Sequence, residues 1–123
     1  AILGTLFANY IFGLNVIEIS SNIRSGANIY ISEIFAATGL LLVILLSRAD
    51  GKNVVSFNVG IYITAALIFT SSTSFANPAV TVARMFTESF TGINPSTVIF
   101  FISCQVIGMF AAYILYNQFF KSK

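Results

Sequence analysis

Residues 71–84 read SSTSFANPAVTVAR, and the interpretation of the whole chain depends on this stretch. Asn77 stands where a helix N-cap is expected, and Pro78 takes the first helical position, where its missing N–H costs nothing. Proline also disfavours helical geometry at the preceding residue, so the pattern predicts a helix that starts abruptly. The residues before Asn77 are small or polar except Phe75, which predicts irregular backbone with free carbonyl groups.

This helix start lies inside segment 53–83, which carries no charged residue. Irregular backbone at membrane depth is tolerated only where protein covers it or where it lines a watery cavity. The segment is therefore a candidate pore element. By itself Asn-Pro-Ala is a weak motif, and the simpler interpretation is that Asn77 only caps a helix; the two roles are compatible.

The composition is that of a membrane protein. Of the 123 residues, 57% are apolar and 8% are charged, whereas about a quarter are charged in soluble domains. A net charge of +2 is too small and scattered for a nucleic-acid partner. The chain has no histidine, one cysteine (Cys104) and four acidic residues in separate segments. No enzyme activity, metal site or cofactor is expected, and no disulfide framework exists.

The apolar segments predict an all-α membrane domain. A bilayer needs roughly 20 apolar residues per crossing helix, and three segments are long enough: 29–47, 54–70 and 96–120. Residues 1–13 are too few, and we interpret them as the end of a spanning helix that starts upstream. Residues 14–28 are predicted to form a surface loop, and residues 71–90 a re-entrant loop with a half-helix from Pro78 to about Phe90.

Small residues on the spans predict close helix packing. They are Ala36, Ala37, Gly39, Gly60, Ala65, Ala66, Gly108, Ala111 and Ala112.

The basic residues predict the orientation in the membrane. If the half-helix re-enters without crossing, four of the six basic residues lie on one side, which is then cytoplasmic. These four are Arg48, Lys52, Lys121 and Lys123, whereas Arg24 and Arg84 lie on the outer side.

A weak internal repeat suggests duplication. Residues 1–12, AILGTLFANYIF, align with residues 109–120, MFAAYILYNQFF, so that Asn9 matches Asn117. Two apolar runs can also match by chance, and the sequence alone leaves both explanations open. If the repeat is real, residues 1–13 correspond to the last helix of a preceding half.

The order of these features resembles the second half of an aquaporin, a member of the major intrinsic protein family of water and small-solute channels. The resemblance covers residues 30–120. It rests on six features in order: a span with the intramembrane acid Glu33, a basic turn, a second span, the stretch SFANPAVT, a half-helix and a final span. Residues 1–13 resemble the end of the third helix.

In that family two inverted halves form a right-handed six-helix bundle, and each supplies an Asn-Pro-Ala half-helix. This chain has one such box, so the resemblance implies a C-terminal half that encloses a pore only with a missing N-terminal half. It further implies a homotetramer in the lipid bilayer, and a bacterial or archaeal plasma membrane. The implied function is passive permeation of water and small uncharged solutes.

The resemblance also assigns roles to residues. The pore motif is Asn77, Pro78 and Ala79, and the carbonyl groups of Thr73, Ser74, Phe75 and Ala76 line the lumen as acceptors. A helix N-terminus carries about half a positive charge, which repels cations.

Val80 departs from the usual family pattern, in which an arginine follows the second Asn-Pro-Ala and forms the narrow outer filter. The same pattern puts Ala65 and Ser74 at two other filter positions, so all three filter residues are small and uncharged. This resembles the bacterial branch whose second box reads Asn-Pro-Ala-Val-Thr and which is associated with arsenite-type metalloid permeation. Arg84 is then a candidate guard of the outer vestibule; alternatively it reaches the interface or pairs with Glu88.

Glu33 is the only charged residue between Arg24 and Arg48. Intramembrane acids are costly and are usually partnered, and the resemblance assigns Glu33 to bracing backbone N–H groups of the re-entrant loop. A proton relay would need further titratable partners. The alternative function is a secondary transporter, because broken helices also build those.

Overall fold

The computed structural model describes residues 1–49 and 54–120, and the regular elements of this part are all helices. They are α1 (Ile2–Ile11), α2 (Ala27–Ala49), α3 (Val55–Phe69), α4 (Pro78–Ala83), which continues into a 3₁₀ turn (Arg84–Phe86), and α5 (Pro95–Phe119). The all-α fold expected from the sequence is confirmed.

Helices α2 and α5, with 23 and 25 residues, are long and apolar enough to cross a membrane. Helix α3 has 15 residues, or about 22 Å at 1.5 Å per residue, which is shorter than the predicted segment 54–70. Most of the predicted basic turn before α3, with Lys52, lies outside the described residues, as do Lys121 and Lys123.

Glycines let α2 approach both α3 and α5 closely. A Cβ atom on Gly108 of α5 would lie 2.6 Å from the Ile34 carbonyl oxygen of α2, so a side chain does not fit. Beside it, the Thr38 hydroxyl donates to the Gly108 carbonyl at 3.1 Å. Where α2 packs against α3, a Cβ atom on Gly39 of α2 would collide with the Tyr62 ring of α3. At Gly60 nothing lies within 4 Å, so the predicted close packing is not formed there by the described residues.

The helical part of the half-helix segment ends at Phe86, not near Phe90. Thr87 is extended (φ −142°, ψ 128°), and other segments bind the carbonyl groups that another helical turn would use. Ile93 N–H donates to the Arg84 carbonyl at 3.2 Å, and the Asn9 side chain donates to the Phe86 carbonyl at 2.9 Å. Tertiary partners therefore terminate this helix.

The segment before α2 is more than a surface loop, because Arg24 is buried in it. Its guanidinium donates to the carbonyl groups of Gly92 (2.8 Å), Phe90 (2.8 Å) and Ser72 (3.2 Å). The planar five-donor fork of arginine can reach several acceptors at once. The predicted surface loop therefore contains a buried cation, for which three carbonyl groups from distant segments replace water.

An apolar core supports the half-helix segment. Its fully packed members are Phe75, Ile93, Val98 and Phe101. The core fixes Phe75 against α5, and thereby fixes the loop that leads to α4.

Candidate functional site

The loop before α4 has an unusual backbone. Thr73, Ser74 and Ala76 have φ values of 60°, 45° and 46°, a left-handed geometry that costs a non-glycine residue roughly 1–2 kcal/mol. Such a run persists only where surrounding structure holds it. The carbonyl groups of residues 73–76 accept no hydrogen bond from the described parts of the chain. A row of backbone acceptors is thus left available.

Glu33 of α2 holds this loop. One carboxylate oxygen accepts from Ala76 N–H at 2.6 Å and the other from Phe75 N–H at 3.3 Å. The side chain is fully buried. A third donor is Nε2 of Gln105, at 2.7 Å. Three N–H groups therefore compensate the buried carboxylate, and they include two donors that the left-handed loop leaves outside any helix.

Gln105 is a site residue that the sequence analysis missed. Both N–H groups of its fully buried amide are used, since Nε2 also donates to the Thr81 hydroxyl at 2.7 Å. That hydroxyl donates to the Asn77 carbonyl at 3.0 Å. One hydrogen-bonded chain thus links α2, α5 and the start of α4. The available signal was an amide in the middle of an apolar span, where polar side chains tend to bind across helices.

Asn77 is the N-cap of α4, as the sequence predicts. Its backbone is extended, and its Oδ1 accepts from Ala79 N–H at 2.8 Å and Val80 N–H at 3.4 Å. The side chain is exposed, and its Nδ2 donates to no group among residues 1–49 and 54–120. Capping uses the oxygen of the amide and leaves its two N–H donors available.

Two arginines approach the ring of Phe75. The Arg84 Cζ lies 4.5 Å from the ring centroid and the Arg24 Cζ 5.0 Å from it, within the range of cation–π attraction. The Nη1 of Arg84 is buried and finds no hydrogen-bond partner within the described chain. Phe75 therefore fixes where the Arg84 cation lies.

The alternative pairing of Arg84 with Glu88 is not formed, and Ser21 instead binds the Glu88 carboxylate. Ser21 N–H donates to Glu88 at 2.6 Å and the Ser21 hydroxyl donates to its other oxygen. These hydrogen bonds lower the pKa of Glu88 below its ordinary value. Glu88 instead ties the segment after α4 to the loop after α1.

The three expected filter residues lie in different surroundings. Val80 and Arg84 line one cavity of about 670 Å³ between α1 and the half-helix. Ser74 is buried in the loop, and neither its hydroxyl nor that of Thr73 has a partner in the described structure. Ala65 is exposed in a separate groove on α3. The structure brings Val80 and Arg84 together, but not Ala65.

The chain is 43% identical over 115 residues to the aquaglyceroporin AqpS of Rhizobium meliloti (strain 1021). The aligned region covers 94% of this chain and 49% of that protein, so the chain spans about half the length of the curated relative that it matches. No family model matches the chain, and no solved structure does.

Proposed function

Because the chain belongs to the aquaporin family of major intrinsic proteins, we propose that it forms half of a passive channel for water and small uncharged solutes. An N-terminal half supplies the rest of the pore wall and the second half-helix. The observation that carries the proposal is the row of carbonyl groups at residues 73–76, which accept no hydrogen bond from residues 1–49 and 54–120, followed by the Asn77 amide, whose Nδ2 donates to no group in the same ranges.

This arrangement suits molecules that both donate and accept hydrogen bonds. A water or polyol can give its hydrogens to successive carbonyl groups and accept from the Asn77 amide at the end of the row. An ion gains too little from these groups to replace its hydration shell, so it is refused. Glu33 and Gln105 keep the row in place by binding the N–H side of the loop and the start of α4.

The width of the filter sets the solute class. Val80 takes the filter position at which an arginine would lie, so the proposed constriction is wider and less positive and admits glycerol or undissociated arsenous acid besides water. The name of the relative, an aquaglyceroporin, supports the polyol part of this proposal.

The channel lies in the plasma membrane of a bacterium or archaeon as a homotetramer, with the Arg48 end of α2 on the cytoplasmic side. Arg24 precedes α2 and Arg48 lies in its last turn, so the two cations mark opposite ends of one span. This placement agrees with Arg24 and Arg48 lying on opposite sides of the membrane, as the count of basic residues requires.

The test is permeation in proteoliposomes that contain the full-length protein. We expect shrinkage after an osmotic step to be faster than in empty liposomes, with glycerol entry that follows its gradient and needs no ion gradient. Absent flux, or glycerol flux that depends on a sodium or proton gradient, would overturn the proposal; the second result would favour a transporter.

Asn77 and Asn94 provide a matched pair of variants for the pore assignment. Each is followed by proline and caps a helix, Asn94 by accepting from Ser96 N–H at 2.9 Å. Either change to alanine should cost about 1 kcal/mol of stability. Only Asn77→Ala should also alter water and glycerol flux per channel. Equal flux changes in both variants would remove Asn77 from the pore.

A further inference from the structure

The side chain of Asn9, on α1, donates a hydrogen bond to a backbone carbonyl group at the C-terminal end of the half-helix. It is 3% exposed, and its Nδ2 donates to the Phe86 carbonyl at 2.9 Å and to the Val16 carbonyl at 3.2 Å. The last carbonyl groups of any helix lack intrahelical partners. Inside a membrane they must find donors in the protein. Asn9 is such a donor.

Asn117 holds the equivalent place in α5. Under the alignment of residues 1–12 with residues 109–120, Asn9 matches Asn117, and the observed ends of the two helices, Ile11 and Phe119, also match. The two helices thus end at equivalent positions, two residues after the matched asparagines. This coincidence supports the internal repeat that the sequence alone left open.

The contacts of Asn117 differ from those of Asn9. Asn117 is half-buried, and within the described residues its amide makes one hydrogen bond, from Nδ2 to the Tyr113 carbonyl of its own helix at 2.9 Å. Asn9 instead binds groups outside its own helix. Asn117 therefore has the position of a half-helix donor, but none of the described residues forms a half-helix whose carbonyl groups it binds.

We propose that Asn117 binds the C-terminal end of a second half-helix, which the N-terminal half of the channel contributes. Its Nδ2 donates to the backbone carbonyl that corresponds to Phe86, as Asn9 does within this half. The ligand is thus an unpaired carbonyl at the end of a short re-entrant helix. This inference rests on the two-halved architecture in the proposed function, because that architecture provides the second half-helix.

Hydrogen exchange in the full-length protein tests the pairing, with Asn9→Leu as the reference. Asn9→Leu should speed amide exchange around residues 84–94, and Asn117→Leu should do so at the end of the upstream half-helix. In each case we expect the amide exchange rate to increase by roughly tenfold, because one hydrogen bond to a buried carbonyl is lost. Neither variant should affect the other half-helix.

Asn117→Asp distinguishes this role from an exposed, water-facing one. Aspartate keeps the size and polarity of asparagine but, when ionised, donates nothing. We expect it to act like Asn117→Leu at the upstream half-helix. If aspartate is tolerated, or if both variants leave exchange there unchanged while Asn9→Leu speeds it at residues 84–94, the inference is overturned.

Flux measurements separate this inference from the proposed function. Wild-type protein that conducts, with no effect of the Asn117 variants on exchange, overturns the inference alone. Wild-type protein that does not conduct, with the expected exchange pattern, overturns the channel proposal and leaves the pairing of Asn117 standing.

Discussion

At the scale of single residues, the carboxylates of Glu33 and Glu88 have different structural roles. Glu33 is fully buried and binds three N–H donors, whereas Glu88 is exposed and binds Ser21. Glu33, on α2, links the loop before α4 to α2 and α5. Glu88 links the segment after α4 to the loop after α1.

Glu33→Ala should reduce the yield of folded, membrane-extracted protein. The buried donors of Phe75, Ala76 and Gln105 lose their acceptor, at about 1–3 kcal/mol for each donor left unpaired. Flux per correctly folded channel should fall less than yield. Thermal unfolding in detergent and flux per channel are the measurements, with Glu18→Ala as a carboxylate control. Full thermal stability together with abolished flux would point to a direct transport role for Glu33.

The stability of the protein should fall in acid through Glu88. Hydrogen bonds from Ser21 lower the pKa of Glu88 in the folded state, so the folded state binds fewer protons than the unfolded state. The stabilisation is present above the unfolded value, about 4.5, and is lost as the pH falls through the lower folded pKa. Unfolding midpoints recorded from neutral pH downwards should fall less steeply for Glu88→Gln. Identical pH profiles would exclude this contribution.

Val80→Arg should narrow the filter and give it a fixed positive charge. Glycerol flux in proteoliposomes should fall by roughly tenfold, which corresponds to a barrier about 1.4 kcal/mol higher, and water flux should fall much less. Val80→Ala serves as the control and should leave the ratio of the two fluxes nearly unchanged. If Val80→Arg lowers both fluxes equally, or neither, Val80 does not line the constriction, and Arg84 becomes the better filter candidate.

At the scale of helices, small residues determine how closely α5 approaches α2. A Cβ on Gly108 would meet the Ile34 carbonyl, whereas a Cβ on Gly60 of α3 would meet nothing within 4 Å. Alanine substitutions at these two glycines therefore separate the effect of helix packing, at Gly108, from the effect of helix propensity, at Gly60.

Gly108→Ala should destabilise the protein by about 1–3 kcal/mol, because α2 and α5 must separate to accept the methyl group. Gly60→Ala should be neutral or stabilising, since alanine favours a helix by up to about 1 kcal/mol over glycine. Thermal unfolding in detergent measures both. A Gly108→Ala protein as stable as the wild type would show that the α2–α5 contact is looser than described.

At the scale of the whole molecule, the sequence predicts the structural features that depend only on residues close together in the chain. The abrupt start of α4 follows from Asn77 and Pro78 alone, because capping and the steric effect of proline act over a few residues. The two long spans follow from their apolar length. These features could be read without knowledge of the rest of the fold.

Three features decided by distant partners were not predicted. The half-helix ends at Phe86 because Asn9 and Ile93 bind its terminal carbonyl groups. Arg24 is buried because its acceptors come from segments far along the chain. Gln105 joins the site through Glu33 and Thr81, and nothing near Gln105 in sequence indicates either partner.

The contacts of Arg24 also constrain the order in which the chain can fold during synthesis. Its acceptors, the carbonyl groups of Ser72, Phe90 and Gly92, lie 48, 66 and 68 residues later in the chain. At roughly 5–20 residues per second, the ribosome needs about 3–14 seconds after adding Arg24 to reach the last of them. Until Ser72 is added, none of these acceptors is present in the nascent chain. Arg24 and the whole of α2 are therefore synthesised before any native partner of this cation, and its set of hydrogen bonds is complete only after Gly92 has been added.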